Sequence, residues 1–202
     1  MMGSSGSAAP SASPTRGPTL SHPPTSPATG SSGTTPSSGS ASGRVLLSEV
    51  YYAVDTAHGA KPQNEWVEIY NGTSLAVNVG GWKVEDTLTS DVIPAGTIVP
   101  SGKFYVIAAT STTRALWSIP TDTFVSIGSS IGDGLGSGGD RVLLRNASGV
   151  VVDAVSWGTN ATVFSPAAIV VPYGHALART SLVNDTNSAS DWIDRTTPTP
   201  GK

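Results

Sequence analysis

Beyond residue 43 the apolar residues of this chain come only in short runs, each bounded by Gly, Pro, Asn or Asp, and no stretch carries a 3.6-residue periodicity long enough for a helix of ordinary length. That pattern predicts an all-β domain without a long helix. The expected strands are Val45 to Tyr52, Glu65 to Tyr70, Ala76 to Glu85, Thr97 to Val99, Phe104 to Ala109, Phe124 to Ile127, Arg141 to Arg145, Val150 to Trp157 and His175 to Arg179. Many short strands at this spacing suit a two-sheet β-sandwich.

Local chemistry sharpens the pattern. Within Ala76 to Glu85 the apolar positions change phase across Gly80 and Gly81, which predicts one strand with a bulge. Asn146-Ala147-Ser148-Gly149 separates two alternating runs and predicts a tight hairpin, with Gly149 supplying the positive φ. Pro94-Ala95-Gly96 and Pro100-Ser101-Gly102 mark two turns around a very short strand, as at a sheet edge.

Residues 1–43 are almost entirely Ser, Thr, Pro, Gly and Ala. Ordering them would cost about 1 kcal/mol or more per residue with little apolar burial in return. They are therefore expected to form a disordered linker, reaching at most ~130 Å in a polyproline-like state. The sandwich is expected to occupy residues 44–202. Net charge is −3 for the whole chain of 202 residues, and because Arg16 is the linker's only charged residue the folded part carries about −4. Its basic residues are scattered singly, so nucleic acid is not an expected partner. There is no cysteine, which excludes a disulfide framework and thiolate-ligated metals. No apolar run is long enough to span a bilayer as a helix, so membrane insertion is not expected. The N-terminus shows no basic start followed by an apolar stretch.

Several segments in order resemble the lamin tail domain family as it occurs in microbial proteins. They are VLLSEVYY, NEWVEIYNGTSLAVNVGGWKVED, IPAGTIVPSGKFYVIA, SIGDGLGSGGDRVLLRNASGVVVDAVSWG and GHALARTSLVNDTNSASDWIDRTTPTPG. The resemblance implies an immunoglobulin-like two-sheet sandwich, known in microbes as a module of exported or surface proteins. The animal members carry coiled-coil rods and associate with chromatin; this chain has neither heptads nor a basic patch, so those roles do not carry over.

Candidate chemistry is sparse. Glu49, Glu65 and Glu68 fall on the first two strands and could face one another as a cation site or a pair of catalytic carboxylates, but strand glutamates of this kind more often face solvent or accept backbone hydrogen bonds. The loop Asp133 to Asp140 lacks both the Lys of a phosphate loop and the ligand spacing of an EF-hand, and reads as a flexible connection. His22, His58 and His175 show no metal-ligand or hydrolase spacing. Trp66, Trp82 and Trp157 fit strand patterns and are expected as core or half-buried packing. Trp117, with Arg114 beside it, lies in a loop-like stretch and is the candidate for contact with a partner. No catalytic, cofactor-binding or metal residues are expected. The sequence thus points to a non-catalytic extracellular or surface module that recognises a protein or polysaccharide, or positions a neighbouring domain. The alternatives are an accessory domain of a secreted nuclease or phosphoesterase and a self-associating structural module. Four Asn-x-Ser/Thr tripeptides, at Asn71, Asn146, Asn160 and Asn184, would matter only in a eukaryotic host.

Overall fold

The computed structural model describes residues 39–40, 44–128 and 130–202. The linker expected over residues 1–43 lies outside the described residues except for Gly39–Ser40 (β1). The other strands are Val45–Tyr51 (β2), Trp66–Asn71 (β3), Val77–Asn78 (β4), Lys83–Glu85 (β5), Ser90–Val92 (β6), Ile98–Val99 (β7), Phe104–Ala108 (β8), Phe124–Ser126 (β9), Gly139–Arg145 (β10), Val151–Gly158 (β11), Ala176–Arg179 (β12), Asn184–Asp185 (β13) and Trp192–Arg195 (β14). One short helix, Thr112–Trp117 (α1), follows β8.

Two sheets form the sandwich. The larger has six strands in the order β14-β12-β2-β3-β8-β9, and the smaller has four in the order β11-β10-β5-β6. Pairing is antiparallel throughout except for β8 with β9. Leu47, Val50, Val67, Ile69, Ile107 and Leu177 from the larger sheet meet Val84, Val142, Leu144, Val155 and Trp157 from the smaller in one buried cluster. Tyr52 stacks on Trp157 with ring centroids 4.4 Å apart. The two inner faces thus interdigitate as in an aligned sandwich.

The larger sheet is buried on its outer face as well. Tyr51, Trp66, Val106, Ala108 and Ala176 form a second cluster there, covered by Ile119 and Trp117. This is why all seven residues of β2 are buried and its sequence does not alternate apolar with polar. A bulge at Ser48 supplies the phase change that keeps both Leu47 and Val50 on the inner face.

The single bulged strand expected over Ala76 to Glu85 is two strands in different sheets. Val77–Asn78 pairs with Ile98–Val99, whereas Lys83–Glu85 pairs with β10 and β6. Between them Gly81 takes φ of +82°, and the Trp82 N–H donates to the Val79 carbonyl, closing a tight turn. A Cβ on Gly80 would come within 2.8 Å of the Gly96 backbone nitrogen, so the two glycines permit a close loop crossing. The hairpin at 146–149 forms as expected, with Gly149 at φ of +82° and its N–H on the Asn146 carbonyl. Residues 112–117, expected as loop, are the helix α1.

Candidate functional site

A cleft of about 570 Å³ lies on the rim of the smaller sheet. Its walls are the turn at Thr87-Leu88, the loop Asp133 to Asp140, and the segment Thr159 to Thr162 after β11. Hydroxyls, the Asn160 amide, two carboxylates and glycine backbone make up the lining, together with the side chains of Leu88 and Ala161. No Lys, Arg or His contributes to it.

The glycine-rich loop that forms one wall is not the flexible connection expected from its composition. The Asp91 carboxylate accepts the Gly132 N–H at 2.6 Å, and Asp86 accepts that of Asp133 at 2.9 Å. Glu65 accepts the Leu135 N–H at 3.0 Å, and Asp140 accepts that of Gly136 at 2.8 Å. Trp157 Nε1 donates to the Gly136 carbonyl at 2.9 Å, while Lys61 Nζ reaches the Leu135 carbonyl and, at 2.9 Å, Ser137 Oγ. Acceptors and donors from four distant segments hold the loop in one shape, which presents a cleft formed before any ligand arrives.

The opposite wall is fixed in the same way. Thr87 donates its N–H to Asp140 at 3.2 Å and its hydroxyl to the same oxygen. Asn160 Nδ2 donates to Thr87 Oγ1 at 2.8 Å, and Asn160 Oδ1 accepts the Thr162 N–H and hydroxyl. Asp140, with its two oxygens taking bonds from Thr87, Gly136 and Arg141, is a positioning group. Asp133 is the exposed carboxyl of the cleft; a hydrogen bond with Asp86 pushes it above the usual carboxylate range. Asp86 moves the other way. Burial works to raise it, but N–H groups of Thr89, Asp133 and Leu88 hold it below the usual range.

The three strand glutamates separate. Glu65 shares the inward face of β3 with Val67 and Ile69, and ion-pairs with Lys61 at 3.1 Å beneath the glycine-rich loop. Burial pushes its carboxyl to about 7 against the Leu135 N–H and Lys61. Glu49 and Glu68 are cross-strand neighbours on the outer face and are 2% and 1% exposed. Glu68 is shielded from solvent and accepts the Gly201 N–H. Among the described residues, no group of three or more His, Asp or Glu side chains is placed to hold a metal ion.

Trp117 ends α1 and is half-buried. Its ring stacks on His58 at 3.8 Å and packs edge-on against Tyr51 at 5.1 Å and Trp66 at 5.9 Å. Arg114, one turn earlier, is exposed, as is Leu116. The structure thus places the two candidates together on α1, with the tryptophan packed as cover for the sheet. His58 also bonds Asp55 at 2.6 Å, and His175 bonds Asp194 at 2.8 Å.

Sequence reasoning missed a buried charge centre between β2, β11 and β12. Arg179 donates to Asp153 at 2.7 Å, to Asp185 at 2.9 Å and to the Leu47 carbonyl at 2.9 Å. Its guanidinium lies 4.7 Å from the Trp192 ring centroid. Asp185 is also paired with Arg44. The one available signal was a charged residue inside each of two apolar strand runs, Asp153 in VVDAV and Arg179 in ALAR.

Two packed, largely antiparallel sheets that share one core define an immunoglobulin-like β-sandwich. The lamin tail domain model matches residues 38–159, and the chain belongs to that family. No curated protein matches the chain.

Proposed function

We propose that the chain is a non-catalytic binding module of an extracellular or surface protein, recognising a polysaccharide through the cleft between the glycine-rich loop and the Thr159 to Thr162 segment. Residues 1–43 act as its spacer. The observation that carries this reading is the lining itself. Threonine hydroxyls, an asparagine amide, two carboxylates and bare glycine backbone suit an uncharged, hydroxyl-rich ligand, and carboxylates without a cationic side chain disfavour a phosphate or sulfate. Its walls are already ordered, so binding would spend little on freezing them. The test is calorimetric titration with soluble cell-wall and storage glycans. Binding should weaken about tenfold, roughly 1.4 kcal/mol, in Asn160→Ala. A chain that binds no glycan, or an Asn160→Ala variant that binds as wild type does, refutes the cleft as a glycan site.

A second reading, contact with a protein, has one observation in its favour. Arg114 and Leu116 are both exposed on α1, close in sequence to the Trp117 that anchors the helix.

A further inference from the structure

The residues from Pro198 to Lys202 lie against the outer face of the six-stranded sheet and close a groove of about 80 Å³ over Glu49 and Glu68. They are attached through those two side chains. Thr199 donates its N–H to Glu49 at 3.2 Å and its hydroxyl at 3.1 Å, and Gly201 donates its N–H to Glu68 at 2.6 Å. Ser48 Oγ donates to the other Glu68 oxygen at 2.7 Å. From β14, Arg195 reaches across to Thr199 Oγ1 at 3.2 Å. Glu49 and Glu68 face each other across β2 and β3, both almost without solvent.

Two carboxylates so close in a dry site cannot both ionise cheaply, and these lack a bidentate cation partner. The cations around them are Arg195, Lys202 and Arg179, and Arg179 is already taken by Asp153 and Asp185. The remaining elements that face the pair are uncharged there: Val106 of β8 beside Glu68, and Ala178 of β12 beside Glu49.

We propose that residues 198–202 form a proton-operated latch, closed on the sheet while the Glu49–Glu68 pair holds its protons and opened when both carboxylates ionise, uncovering an acidic groove bordered by Phe104 and Leu182. The protons leave to solvent and no other group changes. Burial is the principal cause that pushes Glu49 to about 7 and Glu68 to about 8; the N–H groups of Thr199 and Gly201 work against it without cancelling it. With the segment lifted, both side chains are hydrated and return toward the ordinary value near 4.5. The closed state therefore binds more protons than the open one. Its advantage is complete below about 4.5 and is lost as pH rises through 7 to 8.

The chain contains no cysteine, so Thr197→Cys, an exposed position next to the segment, gives a single attachment point for a nitroxide. Its spectrum should show an immobile label at pH 5 and a mobile one at pH 9, with a midpoint between 7 and 8, while near-ultraviolet circular dichroism shows the sandwich still folded. The combined Glu49→Gln, Glu68→Gln variant should keep the label immobile across the range, and Glu68→Gln alone should move the midpoint. A label whose mobility does not depend on pH, or a transition unchanged in Glu68→Gln, overturns the latch. Should the combined variant not fold, Glu68→Gln alone decides.

Discussion

Removing the guanidinium at the sandwich's buried charge centre should cost more than any single apolar truncation on the surface. In Arg179→Met the side-chain volume is roughly kept, but Asp153 loses its 2.7 Å partner, Asp185 loses a 2.9 Å partner, and the Leu47 carbonyl loses a donor. Arg179 and Asp153 side chains are each 1% exposed, so water cannot replace what is lost. Asp185 retains its ion pair with Arg44, whereas Asp153 keeps the N–H groups of Leu47 and Ala154 and a more distant attraction to Arg44 in place of its direct partner. Breaking one side of a buried pair costs about 3–5 kcal/mol. For a domain of this size that lowers the melting temperature by ~6–20 °C. The assay is urea unfolding followed by tryptophan fluorescence, with the slope checked against wild type so that the midpoint reports stability. The deficit should shrink as pH falls, because an Asp153 without its cation is relieved by protonation in the folded state. Asp153→Asn added to Arg179→Met should recover part of the loss, since it removes the stranded charge. A loss under about 1 kcal/mol, or no recovery in the double variant, would refute the reasoning that this centre is held by charge and not by shape.

Two further pairs of substitutions discriminate between roles. Gly158→Ala places a Cβ 2.1 Å from the Gly138 carbonyl oxygen at a φ of +61°, and should cost at least about 2 kcal/mol. Gly149→Ala, at a similar φ of +82° but with open space, should cost only ~1 kcal/mol in the same denaturation assay. Trp117→Ala should destabilise the domain by about 3 kcal/mol through the lost ring packing, whereas Arg114→Ala should stay within about 0.5 kcal/mol, as calorimetry can compare directly.

What could be read from the sequence follows the range of the interaction concerned. The long strands β2, β3, β8, β10 and β11 announce themselves by β-branched and aromatic runs between turn residues, and each was placed within about two residues. The hairpin at Gly149 is a local signal and was legible for the same reason. The helix α1 was not, because six residues are under two turns and show no period. Strands β6 and β13 are three and two residues long and exist only through their partners. Parity alone separates Glu65 from Glu68, since residues three apart on a strand face opposite sides, so that part of the site was available to closer reading. The rigidity of the glycine-rich loop was not available. Its anchors, Lys61, Glu65, Asp86, Asp91 and Trp157, lie far along the chain, and composition reports only what glycine permits locally.

The placement of the family match gives the C-terminal segment its meaning. The matched region ends at residue 159, yet β12 and β14 belong to the six-stranded sheet and come after it. Without β12, the central strand β2 would become an edge, with unpaired N–H and C=O groups along a strand whose side chains are buried on both faces. The same segment carries Arg179, which closes the charge centre against Asp153, and Thr199 and Gly201, which cover Glu49 and Glu68. Residues 160–162 in addition form a wall of the cleft, and Val163 and Phe164 after them pack against Leu143 and Ala154 of the smaller sheet. The matched region therefore supplies two faces that it cannot itself cover, and the residues after it supply the cover. Cleft, charge centre and latch each join a side chain or backbone group from before residue 159 to one from after it, so the last 43 residues complete the sandwich by closing on the two sheets.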